Sequence, residues 1–356
     1  MPAFRQDLES IGAYLPGKPI EEVVREYGIA DIIKLASNEC PQEPFAPVRA
    51  AIATAAAESN RYPDSVAHDL SQALAELHDV DVDHILVGPG SSSILMSIAL
   101  ATGGPGTSAV FSSPSFVLYP IVTAYAGAAA IAVPLDGDMR LDVDAMAAAV
   151  RSDTSVLYVC DPNNPTGTHL GAVAIGRLID DVRSDVLVVI DEAYEEYVTA
   201  SDHTTAIPHA LQRDNVVVTR TFSKIYGLAG LRVGYAIGAR NTIAALRRLQ
   251  LPFATTNVSL AAAREALRHQ DLVAHRADEN AAGRRQLTEG LRALGVQCLD
   301  SQTNFVWMRP LTSPSKVVEE LLHRGIIVRQ MGEYIRITVG TEHENTRLLT
   351  TMGDLI

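Results

Sequence analysis

The feature that most constrains this chain is a succession of short apolar runs that do not alternate with polar residues. Runs at 155–159, 186–190, 215–219 and 233–237 are rich in Val and Ile, and Val110-Phe111 follows a glycine-rich turn. A strand with one wet face alternates, whereas a strand apolar throughout is covered on both sides, as in a parallel sheet between helix layers. Segments 141–150 and 171–182 have the Ala and Leu spacing of covering helices. The expectation is an α/β fold whose larger unit, residues 46–250, is built on a mostly parallel sheet.

Beyond Leu251-Pro252 the pattern changes. Residues 259–292 are helix-rich and dense in Arg, Glu and His. A strand pattern follows at 304–308, then a helix at 314–323 and strands near 326–328 and 335–339. This reads as a smaller α+β unit, 251–356. Residues 1–45, with Pro16, Pro19, Pro41 and Pro44, read as an arm that crosses a larger body and contributes to the smaller unit.

Composition excludes some classes. Of 356 residues, 47% are hydrophobic and 20% charged, which is globular rather than disordered composition. With only 5% aromatic residues, the core must come from Ala, Val, Leu and Ile. A net charge of −13 argues against a nucleic-acid partner. Cys40, Cys160 and Cys298 lie far apart with no metal-ligand spacing, so free thiols, a cytoplasmic setting and no metal are expected. Residues 1–11 carry Arg5, Asp7 and Glu9 without an apolar core, so no secretory leader is expected. Residues 85–135 contain no Asp, Glu, Lys or Arg. Gly, Pro and Ser interrupt that stretch too often for the ~20 apolar residues of a spanning helix, so it reads as interior rather than membrane.

Four motifs carry chemistry, each just after a strand pattern or before a helix. Thr221-Phe222-Ser223-Lys224, with Arg232 eight residues on, places two hydroxyls, an amine and a guanidinium where open α/β sheets bind ligands, a grouping able to converge on a phosphate. Alone, Lys224 is a surface lysine in a Gly-rich loop. Asp191 ends the run 186–190; a buried carboxylate there needs a cationic partner, although a helix N-cap is the plainer reading. Tyr194 follows three residues later. Asp161-Pro162-Asn163-Asn164-Pro165-Thr166-Gly167 is a rigid turn. Gly88-Pro89-Gly90-Ser91-Ser92-Ser93 opens a helix, whose free N–H groups make a phosphate cradle, and no Gly-Lys-Ser/Thr follows to make it a nucleotide P-loop.

Together with Tyr14-Leu15-Pro16-Gly17-Lys18, Lys34-Leu35-Ala36-Ser37-Asn38-Glu39, Asn60-Arg61-Tyr62-Pro63-Asp64 and Ile335-Arg336-Ile337-Thr338-Val339-Gly340-Thr341, these motifs are jointly specific. The chain resembles the fold-type I pyridoxal-phosphate-dependent aminotransferases, in particular the histidinol-phosphate and aromatic amino-acid aminotransferases, nearly end to end. The resemblance implies that Lys224 holds the cofactor as a Schiff base and moves a proton. It implies that Asp191 pairs with the pyridine nitrogen, which must stay protonated for the ring to act as an electron sink. Asn164 and Tyr194 would hold the phenolic oxygen, and Phe116 would stack on the ring. Ser91, Ser92, Thr221, Ser223 and Arg232 would bind the phosphate, joined by Tyr62 from a second subunit of a homodimer with shared sites. Arg336 and Asn38 would hold the substrate's anionic end, and Tyr14 would cover the neighbouring pocket.

There are two departures from the family pattern. Asp161 stands where Asn is usual, which adds a negative charge beside the turn. The span from Arg329 to Arg336 is shorter than in many histidinol-phosphate enzymes, which puts Arg329's part in substrate binding in question. The short span favours an aromatic amino acid such as phenylalanine as donor, with 2-oxoglutarate as acceptor; histidinol phosphate is the alternative donor. Decarboxylation of phosphothreonine is a further chemistry of the same fold. A ligand-sensing regulator on an aminotransferase-like domain is the alternative of another class, but it would carry an added DNA-binding module.

Overall fold

The computed structural model describes residues 11, 18–29 and 31–355. Thirteen strands occur among them: β1 Ile33–Lys34, β2 Ile85–Gly88, β3 Ser108–Ser113, β4 Ala129–Pro134, β5 Thr154–Cys160, β6 Leu187–Asp191, β7 Val216–Thr221, β8 Gly234–Gly238, β9 Gln297–Cys298, β10 Phe305–Arg309, β11 Ile326–Ile327, β12 Arg329–Met331 and β13 Tyr334–Thr338. Seven form one sheet in the order β2-β8-β7-β6-β5-β3-β4. Pairing is parallel from β7 through to β4, and β8 runs against both of its neighbours.

Alternation along the central strands explains the unbroken apolar runs. Val188 and Ile190 of β6, with Val216 and Val218 of β7 and Leu157 and Val159 of β5, belong to the core on one face. Val189, Val217, Val156 and Tyr158 belong to the core on the other. Both faces are dry, so the middle of each strand is apolar on both sides. Helix Ser91–Thr102 packs its Ile94, Leu95 and Ile98 into the second core. The first takes residues from helices His68–His78 and Ala172–Asp181. Ala262, Ala263 and Ala266 of helix Asn257–Leu267 also lie in that first core, so this part of the 251–356 segment packs against helices Ala46–Ala56 and His68–His78 of the larger unit.

The second unit is a four-stranded antiparallel sheet, β12-β13-β10-β9, packed on helices Gln270–Ala293, Pro314–His323 and Glu342–Leu355. The chain's early segment joins it. β1 pairs in parallel with β11, and Thr338 N–H donates to the Leu35 carbonyl at 2.8 Å. Residues near 35 and 338 thus lie side by side, which matters for the site. Among the described residues no helix is long and apolar enough to cross a membrane.

β6 is the middle strand of the seven, and Ile190 on it is fully buried. Ile190→Ala should lower the unfolding free energy by about 2–5 kcal/mol in urea titration, because the methyls removed have no neighbour free to fill the space. A loss below ~0.5 kcal/mol, the scale of surface substitutions, would contradict this core placement.

Candidate active site

Three parallel strands end side by side: Cys160 of β5 is level with Asp191 of β6, and Asp191 with Thr219 of β7. A cavity of about 210 Å³ opens there. Its walls carry Ser91, Ser92, Phe116, Asn164, Asp191, Tyr194, Thr221, Ser223, Lys224, Arg232, Asn38, Arg329 and Arg336. All but two of the site residues expected from the sequence therefore meet in one place. Tyr62 does not line it: that side chain is 83% exposed and stacks on Phe253, with centroids 4.7 Å apart. Tyr14 lies outside the described residues.

One end of the cavity is an anion cradle. Helix Ser91–Thr102 starts there, presenting free N–H groups and the positive end of its dipole. Gly90 precedes it at φ +81°, and a Cβ at that position would sit 2.6 Å from Arg232 Nη2. Only glycine therefore lets the guanidinium lie against the turn. Gly234 on β8 is equally constrained, since its Cβ would fall 2.5 Å from the Ser91 nitrogen. Arg232 itself is left-handed at φ +51° and donates to Ser223 Oγ at 3.1 Å and to the Ala229 carbonyl at 3.0 Å. Those bonds fix a backbone shape that a non-glycine residue adopts at a cost.

Deeper in the cavity lies the Asp191 carboxylate, with both oxygens held. Tyr119 OH donates to Oδ2 and Thr219 Oγ1 to Oδ1, each at 3.0 Å. Burial raises its pKa to about 6, a rise that these two donors and the Lys224 charge limit. Tyr119 is itself fixed, stacked on Tyr158 at 4.9 Å and packed edge-on against Phe116. Burial also lowers the Lys224 amine to about 8, helped by the charges of Arg336 and Arg232. A neutral, nucleophilic amine is thus accessible near neutral pH.

The wall opposite is polar and reaches across the chain. Asn38 Nδ2 donates to Tyr194 OH at 2.9 Å, and Arg336 Nη1 donates to Asn164 Oδ1 at 2.6 Å. Arg336 Nη2 donates to the Ala36 carbonyl at 2.8 Å, over 300 residues of sequence. Burial raises the Tyr194 phenol, so it stays protonated. Arg329 and Arg336 are register partners on β12 and β13. The short span between them is a tight antiparallel turn, and it leaves Arg329 in the cavity wall rather than removing it.

Sequence reasoning missed Tyr119, Thr219, Ser115, Met331 and Cys160, all of which touch Asp191 or line the cavity. Thr219 carried a signal: it lies two residues before Thr221 on one strand and so on the same face. Tyr119 carried one too, three residues beyond Phe116 at helical spacing.

This set of groups fits pyridoxal phosphate. The cradle suits its phosphate, the buried carboxylate its ring nitrogen, the Asn164 and Tyr194 polar groups its phenolic oxygen, and the buried amine its aldehyde. The comparisons agree. The chain is 40% identical over 356 residues to histidinol-phosphate aminotransferase 2 of Pseudomonas fluorescens, covering 98% of this chain and 96% of that one. It is 41% identical over 355 residues to the aromatic amino acid aminotransferase of Nocardia farcinica, covering 99% and 97%. The crystal structure of histidinol-phosphate aminotransferase from Sinorhizobium meliloti in complex with pyridoxal 5′-phosphate superposes with a TM-score of 0.92 at 28% identity, over 100% of this chain and 99% of that one. The family model for aminotransferase class I and II matches residues 30–352, and the chain belongs to that family: it is a pyridoxal-phosphate-dependent aminotransferase.

Proposed function

We propose that this enzyme takes histidinol phosphate as amino donor and 2-oxoglutarate as acceptor. The observation that carries this reading is the pairing of Arg329 with Arg336 across β12 and β13, both on the cavity wall. A phosphate monoester brings close to two negative charges, and two guanidiniums on one wall answer them better than the single carboxylate of an aromatic amino acid. 2-Oxoglutarate, with two carboxylates, uses the same wall in the second half-reaction. The expectation of an aromatic donor rested on the short Arg329–Arg336 span; the register partnership of the two arginines and the names of most relatives favour the phosphate ester instead. The relatives named for histidinol phosphate support the choice, and the Nocardia relative keeps an aromatic amino acid as the competing donor.

Residue roles follow from position. Bound in this cavity, pyridoxal phosphate supplies an aldehyde that condenses with amines and a pyridinium ring that takes up the electron pair left when an α-proton departs. Ser91, Ser92, Thr221, Ser223 and Arg232 hold the phosphate. Asp191, kept in place by Tyr119 and Thr219, holds the proton on the ring nitrogen. Asn164 and Tyr194 orient the phenolic oxygen, and Phe116 covers a ring face. Lys224 Nζ anchors the cofactor and then moves the proton at the donor's α-carbon, a task that a lowered pKa suits. Asn38 steadies Tyr194, and Arg336 and Arg329 orient the substrate anion. The active unit is a homodimer in which Tyr62 of the partner subunit reaches the phosphate, which accounts for an exposed tyrosine outside its own cavity.

Four outcomes test this. Lys224→Ala should abolish transamination and the visible absorbance of the bound cofactor; retention of both would end Lys224's role. In a substrate panel, turnover should be faster with histidinol phosphate than with phenylalanine. Arg329→Gln should cut kcat/KM for the phosphate ester ~10- to 100-fold, as expected for one charged hydrogen bond, and for phenylalanine far less. An equal effect on both donors would favour the aromatic reading. Sedimentation equilibrium should give twice the 38.2 kDa chain mass, and a monomer with full activity would remove the shared site.

A further inference from the structure

Behind the cavity floor lies a cluster of buried ionisable groups that the proposed chemistry does not use. Asp161 follows β5 and is 1% exposed. Its Oδ1 accepts from Leu170 N–H at 2.7 Å, so this one side chain closes the loop 161–170. Its backbone N–H donates to the Asp191 carbonyl at 3.1 Å. Asp161 Oδ2 has no hydrogen-bond partner among the described residues, and neither does His203 Nδ1. These two buried orphans face each other at 3.5 Å. The other ring nitrogen, His203 Nε2, lies 2.6 Å from Glu195 Oε2. The His203 side chain is itself 6% exposed.

We propose that His203 is a positioning residue for amino transfer: its protonated ring, clasped between Asp161 and Glu195, holds the turn 161–167 and with it Asn164. Asn164 in turn holds Arg336 Nη1. The inference rests on the reading of Asn164 as a cofactor and Arg336 contact.

The charges around the ring require a proton there. Asp161 faces it from the end of β5, and Glu192 and Glu195 from the segment after β6. Arg220 of β7 is committed to Glu192 by two hydrogen bonds, at 2.9 and 2.7 Å, and lies 3.6 Å from Glu195. Glu196 lies beside Arg220 and is raised to about 7 by burial. His169 packs edge-on against the ring at 6.2 Å and is paired with Asp202. Burial raises Asp161 to about 7, so above that pH Arg220 alone cannot balance Asp161, Glu192 and Glu195, and a buried unpaired carboxylate costs several kcal/mol. A cationic His203 supplies the missing charge, with its ring nitrogen 3.5 Å from Asp161 Oδ2. Burial opposes a charged ring, but Glu195, Asp161 and Glu192 outweigh it and hold His203 at about 9. That is above the ordinary 6.5, so the folded chain keeps a proton that the unfolded chain has lost. The stabilisation is complete below pH 6.5 and disappears as pH rises through about 9.

The test uses the holoenzyme with isotope-labelled histidine. The ring resonance lost in His203→Gln identifies His203, and it should titrate with a midpoint near 9, falling by about one unit in Asp161→Asn as one anionic neighbour is removed. His203→Gln should lower kcat ~10-fold, within the coupling expected of contacting residues, and shift the pH midpoint of the cofactor's visible band. Adding Asp161→Asn to His203→Gln, which removes the stranded charge, should restore both. A His203 midpoint below 7, a double variant as impaired as the single one, or an unshifted band in His203→Gln would each overturn the proposal. The resonance does not depend on how the cofactor is held, so failure of the Asn164 reading, seen as an unshifted cofactor band in Asn164→Ala, would be told apart from a neutral His203.

Discussion

The site depends on keeping a carboxylate and an amine in one dry cavity without letting them neutralise each other. Asp191 and Lys224 do attract, and each limits the other's shift, but burial dominates both groups. For Lys224, the positive charges of Arg336 and Arg232 add to burial, and together they outweigh the pull of Glu39 and Asp191. The amine is therefore poised near neutral pH rather than locked in an ion pair. Asp191 is poised differently. Two hydroxyl donors occupy its oxygens, so the carboxylate keeps its position whether or not a cation lies opposite. A lone buried ion would cost several kcal/mol, and the hydroxyls offset part of that in advance.

Strand ends were legible in the sequence because both faces of the sheet are dry. An apolar run stops where the strand leaves the core, so the polar residues after 155–159, 186–190 and 215–219 marked the ligand edge directly. Thr221, Ser223, Lys224, Asp191 and Asn164 were found that way, each within a few residues of such a stop, and Arg232 by its place eight residues beyond Lys224. Tyr119 and Thr219 were not, because their meaning lies in a neighbour on another element. Arg329 shows a third kind of difficulty. Its distance along the chain from Arg336 suggested a missing loop, whereas antiparallel register places the two directly opposite. Sequence separation measures reach only when the pairing is known.

The substrate wall is built from the two extremes of the chain. Asn38 N–H donates to Thr338 Oγ1 at 2.9 Å, and Asn304 Nδ2 donates to the Asn38 carbonyl at 3.0 Å. Asn38 itself is left-handed at φ +56°. Such a residue persists only where its surroundings over-determine it, and here β13 and the segment before β10 do so. Arg336 is fixed at both ends of its guanidinium, by Asn164 from the large sheet and by Ala36 from the early segment. Any movement of the smaller unit against the larger must carry this arginine with it or break the Asn164 bond. The cavity wall and the relation between the two units are therefore coupled through one side chain.

Alternation along a strand also resolves the crowding of acids beneath the site. Asp191 and Glu192 are adjacent in sequence, and two like charges so close would repel strongly in a dry interior. Register places Thr219 beside Asp191, and Arg220, the next residue, beside Glu192. Successive side chains point to opposite faces, so Asp191 looks into the cavity and Glu192 away from it. Glu192 is then fully engaged, by Arg220, by the Thr205 hydroxyl at 2.8 and 3.0 Å, and by Ala206 N–H at 2.6 Å. The Arg220 partner offsets much of its charge, and what remains of it raises Asp191 only as a minor contribution after burial. Exchanging Arg220 for a neutral residue would release that charge against Asp191 and push its pKa further up, so the partner of Glu192 protects the ionisation of Asp191 without touching it.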